Sequence, residues 1–375
     1  MDLSKYRDIA PYRGDDFKAA IQRLLDGVEY LGEFISLLSG SDDEQKTLEY
    51  TSLIMHNISK VTDYDSFLRN ITAGLFIPTV IKRTMTEFTA SGAENLDPKK
   101  GYLFISNHRD IILDCALLDY ALLLADRQLC EMAFGDNLII NQFTEDLFRL
   151  NGGVVIRREL PMREKYLESI RISEYFVDVV TEMNKPIWVA QKSGRSKDGI
   201  DETQPAIIKM LYLSKKGSGI SFQELINSMN IVPVAVSYEY DPNDINKGRE
   251  EILRKAHDGA YEKKRYEDLI SMARGMKCQK GRVHMTIGKP LNGDFEDAND
   301  VAREIDRQIH LGYKLWDTNL FAYSYLENDN RFSSELSGFD GDAFLARFSH
   351  LSPNVRDFVL NSYANPVRMA IKEGR

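Results

Sequence analysis

Asn107, His108, Arg109 and Asp110 crowd four polar side chains together between two apolar stretches, and Asp114 follows four residues on. A histidine with a carboxylate in reach can move protons near neutral pH, because the acid holds one ring nitrogen and leaves the other free as a base. Along the chain either Asp110 or Asp114 is near enough to serve. A plain structural reading competes with this one. Asp110 could cap the helix that follows by accepting from its first free N–H groups. On this stretch alone the two readings are evenly matched. The triplet His108-Arg109-Asp110 also mimics a kinase catalytic loop. A kinase would carry Asn where this chain has Cys115, and would need Asp-Phe-Gly downstream, so that reading fails.

Three more polar clusters follow apolar runs. Gly153 to Ile156 ends in Arg157 and Arg158, which alone read more readily as a solvated edge than as a site. Ile187 to Ala190 runs into Gln191-Lys192-Ser193-Gly194-Arg195-Ser196-Lys197-Asp198-Gly199. Its glycines let backbone close on a ligand, while Lys192, Arg195 and Lys197 bring cations and Ser196 a hydroxyl, a composition that suits a phosphate. A basic surface turn fits equally well in isolation. Ile231 to Val236 leads into Tyr238 and Glu239, and Pro233 predicts an edge strand or a strand start. Together the clusters outline a cavity that holds a phosphorylated small molecule and removes a proton from it.

The elements that must position these groups are legible from periodicity. Short apolar runs at Tyr102–Ile105, Glu131–Phe134, Val154–Ile156, Ile187–Ala190, Ile231–Val236 and Val283–Ile287 alternate with helical patterns, notably Pro161–Met183 and Pro205–Leu213. This predicts an α/β fold with a mixed, mainly parallel sheet flanked by helices. Its polar clusters lie at the strands' carboxyl ends, where open α/β sheets hold ligands. We divide the chain into a helical N-terminal region (1–82), an α/β domain (83–295) and a helical C-terminal region (296–375). Thr84, Thr86 and Phe88 alternate as a strand. One amphipathic stripe runs from Phe17 to Leu38 with a bend expected at Gly27 or Gly32, and Ser41 with Glu44 forms a capping box for the next helix. Near the C-terminus, Val301, Ile305, Ile309 and Leu315 share a face, a polar loop spans Glu327 to Asp342, and two short helices are expected at Ala343–Phe348 and Val355–Tyr363.

The 375 residues are 43% hydrophobic and 28% charged, enough for a sizeable core. A net charge of −9 argues against nucleic acid as the main partner. No apolar run approaches ~18 residues, so no spanning helix is expected, and the first residues are too polar for a signal peptide. Cys115, Cys130 and Cys278 lack metal spacing and read as reduced thiols of a cytosolic protein. No P-loop, dinucleotide glycine pattern or paired metal carboxylates are present in the sequence, and no metal site is expected.

Four blocks in order resemble those of the glycerolipid acyltransferases, the glycerol-3-phosphate and 1-acylglycerol-3-phosphate (lysophosphatidate) acyltransferase superfamily. His108 through Asp114 is similar to its His-x4-Asp block, and Gly153 through Arg158 to Gly-x-x-x-Ile-Arg-Arg. Ser193 through Lys197 resembles Glu-Gly-(Gly/Thr)-Arg-Ser, and Val232 through Glu239 resembles Val-Pro-(Val/Ile)-x4-Tyr-Glu. The details look like acyltransferase homologues of Bacteroidetes-type bacteria. Two departures stand out: Asp114 lies one position further from His108 than the family's Asp, and Lys192 or Ser193 stands where the family has an acid that helps hold the acceptor. The resemblance implies a glycerol-3-phosphate acyltransferase-like fold and transfer of an acyl group from acyl-CoA or acyl carrier protein to glycerol phosphate or a lysophospholipid. It gives His108 the role of general base with Asp114 or Asp110 behind it. Arg157, Arg158, Ser193, Gly194, Arg195, Ser196 and Lys197 become acceptor-binding residues. No cofactor is implied beyond the acyl donor. A peripheral position on the inner face of the cell membrane is implied, with Lys263-Lys264-Arg265 one basic run that could touch it. The missing acid leaves two alternatives open: an acceptor without phosphate, such as an amino-acid lipid, or a catalytically weakened lipid-binding homologue.

Overall fold

Seven short strands pair into one sheet in the computed structural model, which describes residues 3–39, 44–259, 261 and 266–375. The strands are β1 (Glu87–Ser91), β2 (Leu103–Ser106), β3 (Glu131–Gly135), β4 (Gly153–Ile156), β5 (Ile187–Ala190), β6 (Ile231–Tyr238) and β7 (Arg282–Ile287). Their order across the sheet is β1-β7-β6-β2-β5-β3-β4. The five strands from β6 to β4 run parallel; β7 is antiparallel to β6 and carries β1 parallel to itself. The fold is therefore α/β with a mixed, mainly parallel sheet between helices. Every residue of β2 and β6 is buried, as continuous apolar strands covered on both faces must be.

One face of the sheet is covered by the N-terminal helices α1 (Gly14–Asp26), α2 (Val28–Ser39), α3 (Glu44–Ile58) and α4 (Tyr64–Phe67), a π-helical stretch at Leu68–Phe76, and α5 (Ile77–Thr84). With them packs α6 (Leu113–Leu124), whose Leu113, Leu117, Leu118 and Leu122 are all buried, each contributing about 1.5–3 kcal/mol. At Gly74 in the π-helical stretch a Cβ would stand 2.2 Å from the Arg69 carbonyl, so only glycine lets that wide turn close. After α7 (Gln142–Leu150), the opposite face takes α8 (Met162–Thr181), α9 (Pro205–Ser214) and α10 (Phe222–Ser228). Beyond α11 (Asp244–Ala256) and α12 (Glu267–Lys277), α13 (Ala298–Gly312) joins the same face through Val301, Ile305 and Ile309. The C-terminal helices α14 (Asp317–Glu327), α15 (Gly341–Ala346) and α16 (Pro353–Lys372) close an aromatic-rich core of their own around Phe344, Phe348 and Tyr363.

Several local expectations are corrected. Thr84 ends α5, its hydroxyl donating to Val80 O, and the strand begins at Glu87. The N-terminal stripe breaks at Gly27, while Gly32 lies inside α2. Pro233 sits in an internal strand, not at an edge. Its carbonyl faces Gly288 N (2.8 Å), just past the end of the β7 ladder, so the ring costs the sheet no regular partner. Leu315 lies beyond α13, and the last helix runs on through Pro366 to Lys372. Ser41 and the run 263–265 fall outside the described residues.

Asp119 ties α6 to the start of β3, its Oδ1 accepting from Cys130 N at 2.7 Å. Burial pushes this carboxyl up to about 7. An unfolded chain ionises it near ~4, so the folded state holds the extra proton between pH ~4 and ~7 and stability falls as pH rises through that window. We expect Asp119→Asn, which keeps the acceptor for Cys130, to flatten the dependence by up to about 1.4 kcal/mol per pH unit. Denaturant melts across the window check this; a slope identical to wild type would assign it to other groups.

Candidate active site

β2 delivers His108 two residues past its last paired residue, and α6 delivers Asp114 in its first turn. His108 Nδ1 lies 2.8 Å from Asp114 Oδ2. A carboxylate only accepts, so Nδ1 carries the proton and Nε2 is left as the basic nitrogen. The same Oδ2 accepts from the backbone N–H groups of Arg109 (2.6 Å) and Asp110 (2.9 Å), and Oδ1 accepts from the Tyr238 hydroxyl (3.0 Å). Burial, with Asp114 beside it, holds the Tyr238 phenol well above its ordinary range, so it stays a neutral donor. The Trp188 ring meets His108 edge-on, with centroids 5.5 Å apart. Its indole N–H is anchored on Ser106 Oγ at 2.9 Å.

Asp110 does the capping work. Its Oδ1 accepts from Ile112 N and Leu113 N, both at 3.0 Å, which starts α6. Burial raises its pKa, with the neighbouring Asp114 adding to the effect. Asp114, not Asp110, meets the imidazole. Asn107 and Arg109 turn inward. The Asn107 amide brackets Val236 of β6, accepting from its N–H (2.8 Å) and donating to its carbonyl (3.0 Å). Arg109 is buried on Asp201 Oδ2 (2.6 Å), which also receives Asn107 Nδ2 at 3.0 Å.

A cleft of about 450 Å³ opens beside His108, and Arg157, Arg158, Ser193, Gly194 and Arg195 line it as well. Arg157 is paired with Asp8 at 2.7 Å, and Glu168 stands 3.6 Å away. Arg158 is exposed, and its side chain makes no hydrogen bond among the described residues. Arg195 reaches Ser271 Oγ through Nη2 (3.3 Å), whereas its Nη1 is buried with no partner among the described residues. Ser196 and Lys197 do not line this cleft. Ser196 is buried, its N–H donating to His108 O at 2.7 Å, and Lys197 is held by Glu250 at 2.7 Å. A second, apolar cavity of about 120 Å³ lies under the N-terminal helices between Leu31, Ile58, Ile71 and Met276. It shares Ile111, Ala133, Phe134 and Trp188 with the cleft.

Sequence reasoning missed Tyr238, Trp188, Asp201 and Ser271 as partners of the site. Tyr238 had been picked out within a block, but nothing local ties it to a carboxylate 124 positions away. Asp201 and Ser271 carry no signal at all until the chain is folded.

Residues 87–237 match the protein-family model described as Acyltransferase. That span contains the His108, Arg157/Arg158 and Arg195 blocks whole, and the last block as far as Ser237. No curated protein matches the chain. Among solved structures, the 1-acyl-sn-glycerophosphate acyltransferase PlsC from Thermotoga maritima is similar at 14% identity and a TM-score of 0.40, over 76% of this chain and 92% of that one.

Because four donors converge on one carboxylate, Asp114→Ala is expected to cost on the order of 3 kcal/mol or more, while Tyr238→Phe costs about 1 kcal/mol. Chemical denaturation of the two variants decides the matter. A loss below that of Tyr238→Phe would mean that Asp114 is not the acceptor that holds this turn.

Proposed function

We propose that the acyltransferase domain carried by residues 87–237 moves a fatty acyl group from an acyl thioester to the hydroxyl of glycerol 3-phosphate or lysophosphatidate. One observation carries the reading. A histidine with its outer nitrogen free and an arginine with an unsatisfied buried N–H line the same cleft. His108 Nε2 takes the proton of the acceptor hydroxyl as that oxygen bonds to the thioester carbonyl carbon. When the carbon–sulfur bond breaks, the imidazolium returns the proton to the leaving thiolate. Asp114 keeps the ring in the needed tautomer and stabilises the transient cation. The Arg109 and Asp110 amides are committed to Asp114, so the developing oxyanion falls to the amides around Gly194.

Arg195 and Arg158 bind the acceptor phosphate, with Arg157 behind them shared with Asp8. A guanidinium with two donors to spare matches phosphate oxygens in a way a lysine cannot. The apolar cavity takes the acyl chain, because it begins at Trp188 and Ile111, beside the imidazole, and is apolar nearly throughout. No helix among the described residues is long and apolar enough to cross a membrane. Because the product would be a lipid, the reading sets the protein peripherally on the inner membrane face. In support, Met162, Tyr166 and Leu167 are exposed at the start of α8, beside Lys165 of the cleft.

Purified protein given a labelled acyl thioester and lysophosphatidate is expected to release thiol and form a diacyl product. His108→Ala should lower kcat by about 10²–10⁴ with the fold intact. Arg195→Ala should raise the acceptor KM by about tenfold or more and leave the donor KM alone. Undiminished turnover in the histidine variant ends the proposal; an arginine variant with a lower melting temperature and an unchanged KM removes the phosphate from it.

A further inference from the structure

The segment from Ser196 to Thr203 leads the chain from the basic turn back to α9, and the C-terminal helices hold it at several points. Asn365 Nδ2 on α16 donates to Asp198 O at 2.6 Å. Gly199 has φ +77, and a Cβ there would stand 2.2 Å from Ser362 O. That carbonyl is available because Pro366, four residues on, has no N–H to give it. Further along, His310 Nε2 on α13 lies 2.7 Å from Asp201 O, and Thr203 N donates to Asp306 Oδ1 at 2.8 Å. At the near end, Ser196 N is fixed on His108 O. Arg195 thus sits in a turn whose downstream side rests on helices outside the matched domain.

We propose that Asn365 is a positioning residue for acyl transfer: through Asp198 it sets the basic turn so that Arg195 faces His108 across the cleft. On this view α16 completes a site whose chemistry is carried by residues 87–237. The inference rests on the acceptor-binding role given to Arg195 above. Asn365 touches neither the cleft nor His108, so its effect should fall on acceptor affinity rather than on the chemical step. The Asn365 Oδ1 separately accepts from Arg368 at 2.6 Å, which makes the two contacts separable.

The full-length protein is compared with Asn365→Ala, and with Asn365→Asp, which keeps the acceptor for Arg368 but loses the donor to Asp198. Both variants are expected to raise the acceptor KM about fivefold, with kcat within about twofold and the donor KM unchanged. Hydrogen exchange of the amides from Ser196 to Ile200 should quicken about tenfold in both. Gly199→Ala, which drives a Cβ into Ser362 O, should do the same by a different route. A purely structural role would lower the melting temperature and leave acceptor KM and local exchange at wild-type values, and that result overturns the proposal. The exchange measurement needs no turnover. Unaltered exchange therefore sinks the positioning role whatever the activity, whereas a wild-type protein that transfers no acyl group sinks the functional reading beneath it.

Discussion

The carboxylate of Asp114 is the point on which the site and the fold both depend. It is about 1% exposed, and a buried ionised acid is tolerated only when its lone pairs are filled. Four donors fill them: the His108 ring, two backbone amides of the β2–α6 turn, and the Tyr238 hydroxyl from the end of β6. The Arg109 guanidinium adds a Coulombic contribution, and oriented dipoles and the amino end of α6 carry the rest of the compensation. That arrangement exists only when β2, β6 and α6 stand in their observed register. A strand slip by one residue would expose an unsatisfied carboxylate and misaim the imidazole at once.

Much of the frame was legible in the sequence because its causes are local. Each strand from β2 to β7 follows from a short run of branched or aromatic residues, and α8 and α9 follow from apolar spacing with proline near the first turn. The pairing of histidine with some nearby acid was likewise legible. Which acid was not, since Asp110 and Asp114 both lie close to His108 along the chain and only the folded turn decides which of them meets the ring. Arg109, Lys197 and Asn107 were unreadable for another reason. Their orientations are set by Asp201, Glu250 and Val236, and the sequence does not say which of the many distant acids or strands will arrive beside them. One proline misled. Pro233 was compatible with an internal strand because the β7 ladder stops short of it. Pro366 did not end α16 because the carbonyl it orphans faces a glycine of another segment.

The helical regions on either side of the matched domain divide the remaining work. The N-terminal helices do not form a separate core: Leu24, Leu31 and Ile58 belong to the same cluster as Phe104 and Trp188 of the sheet. They roof the apolar cavity, and the widened turn at Gly74 shapes one of its walls. The helices after α13 build a distinct aromatic core, yet α16 touches the loop after β5 through Asn365, as α13 does through His310. Apolar packing gives stability without much direction, while hydrogen bonds give direction at little net gain. A region that must set the position of an arginine is therefore better built with amides than with leucines.

Arg195 shows why such positioning has to come from outside the cleft. Its Nη1 is buried without an acceptor among the described residues, a state that costs about 1–3 kcal/mol relative to a satisfied donor. An unconstrained side chain would relax by swinging toward water or toward Asp268, which lines the same cleft. It holds its place because the turn that carries it is pinned at Ser196 on one side and at Asp198, Gly199 and Asp201 on the other, with Ser271 taking one N–H. An anion in the cleft would give that N–H an acceptor, as the proposed function requires. On that proposal, the pinning that leaves the N–H without an acceptor also favours a ligand with oxygens to offer.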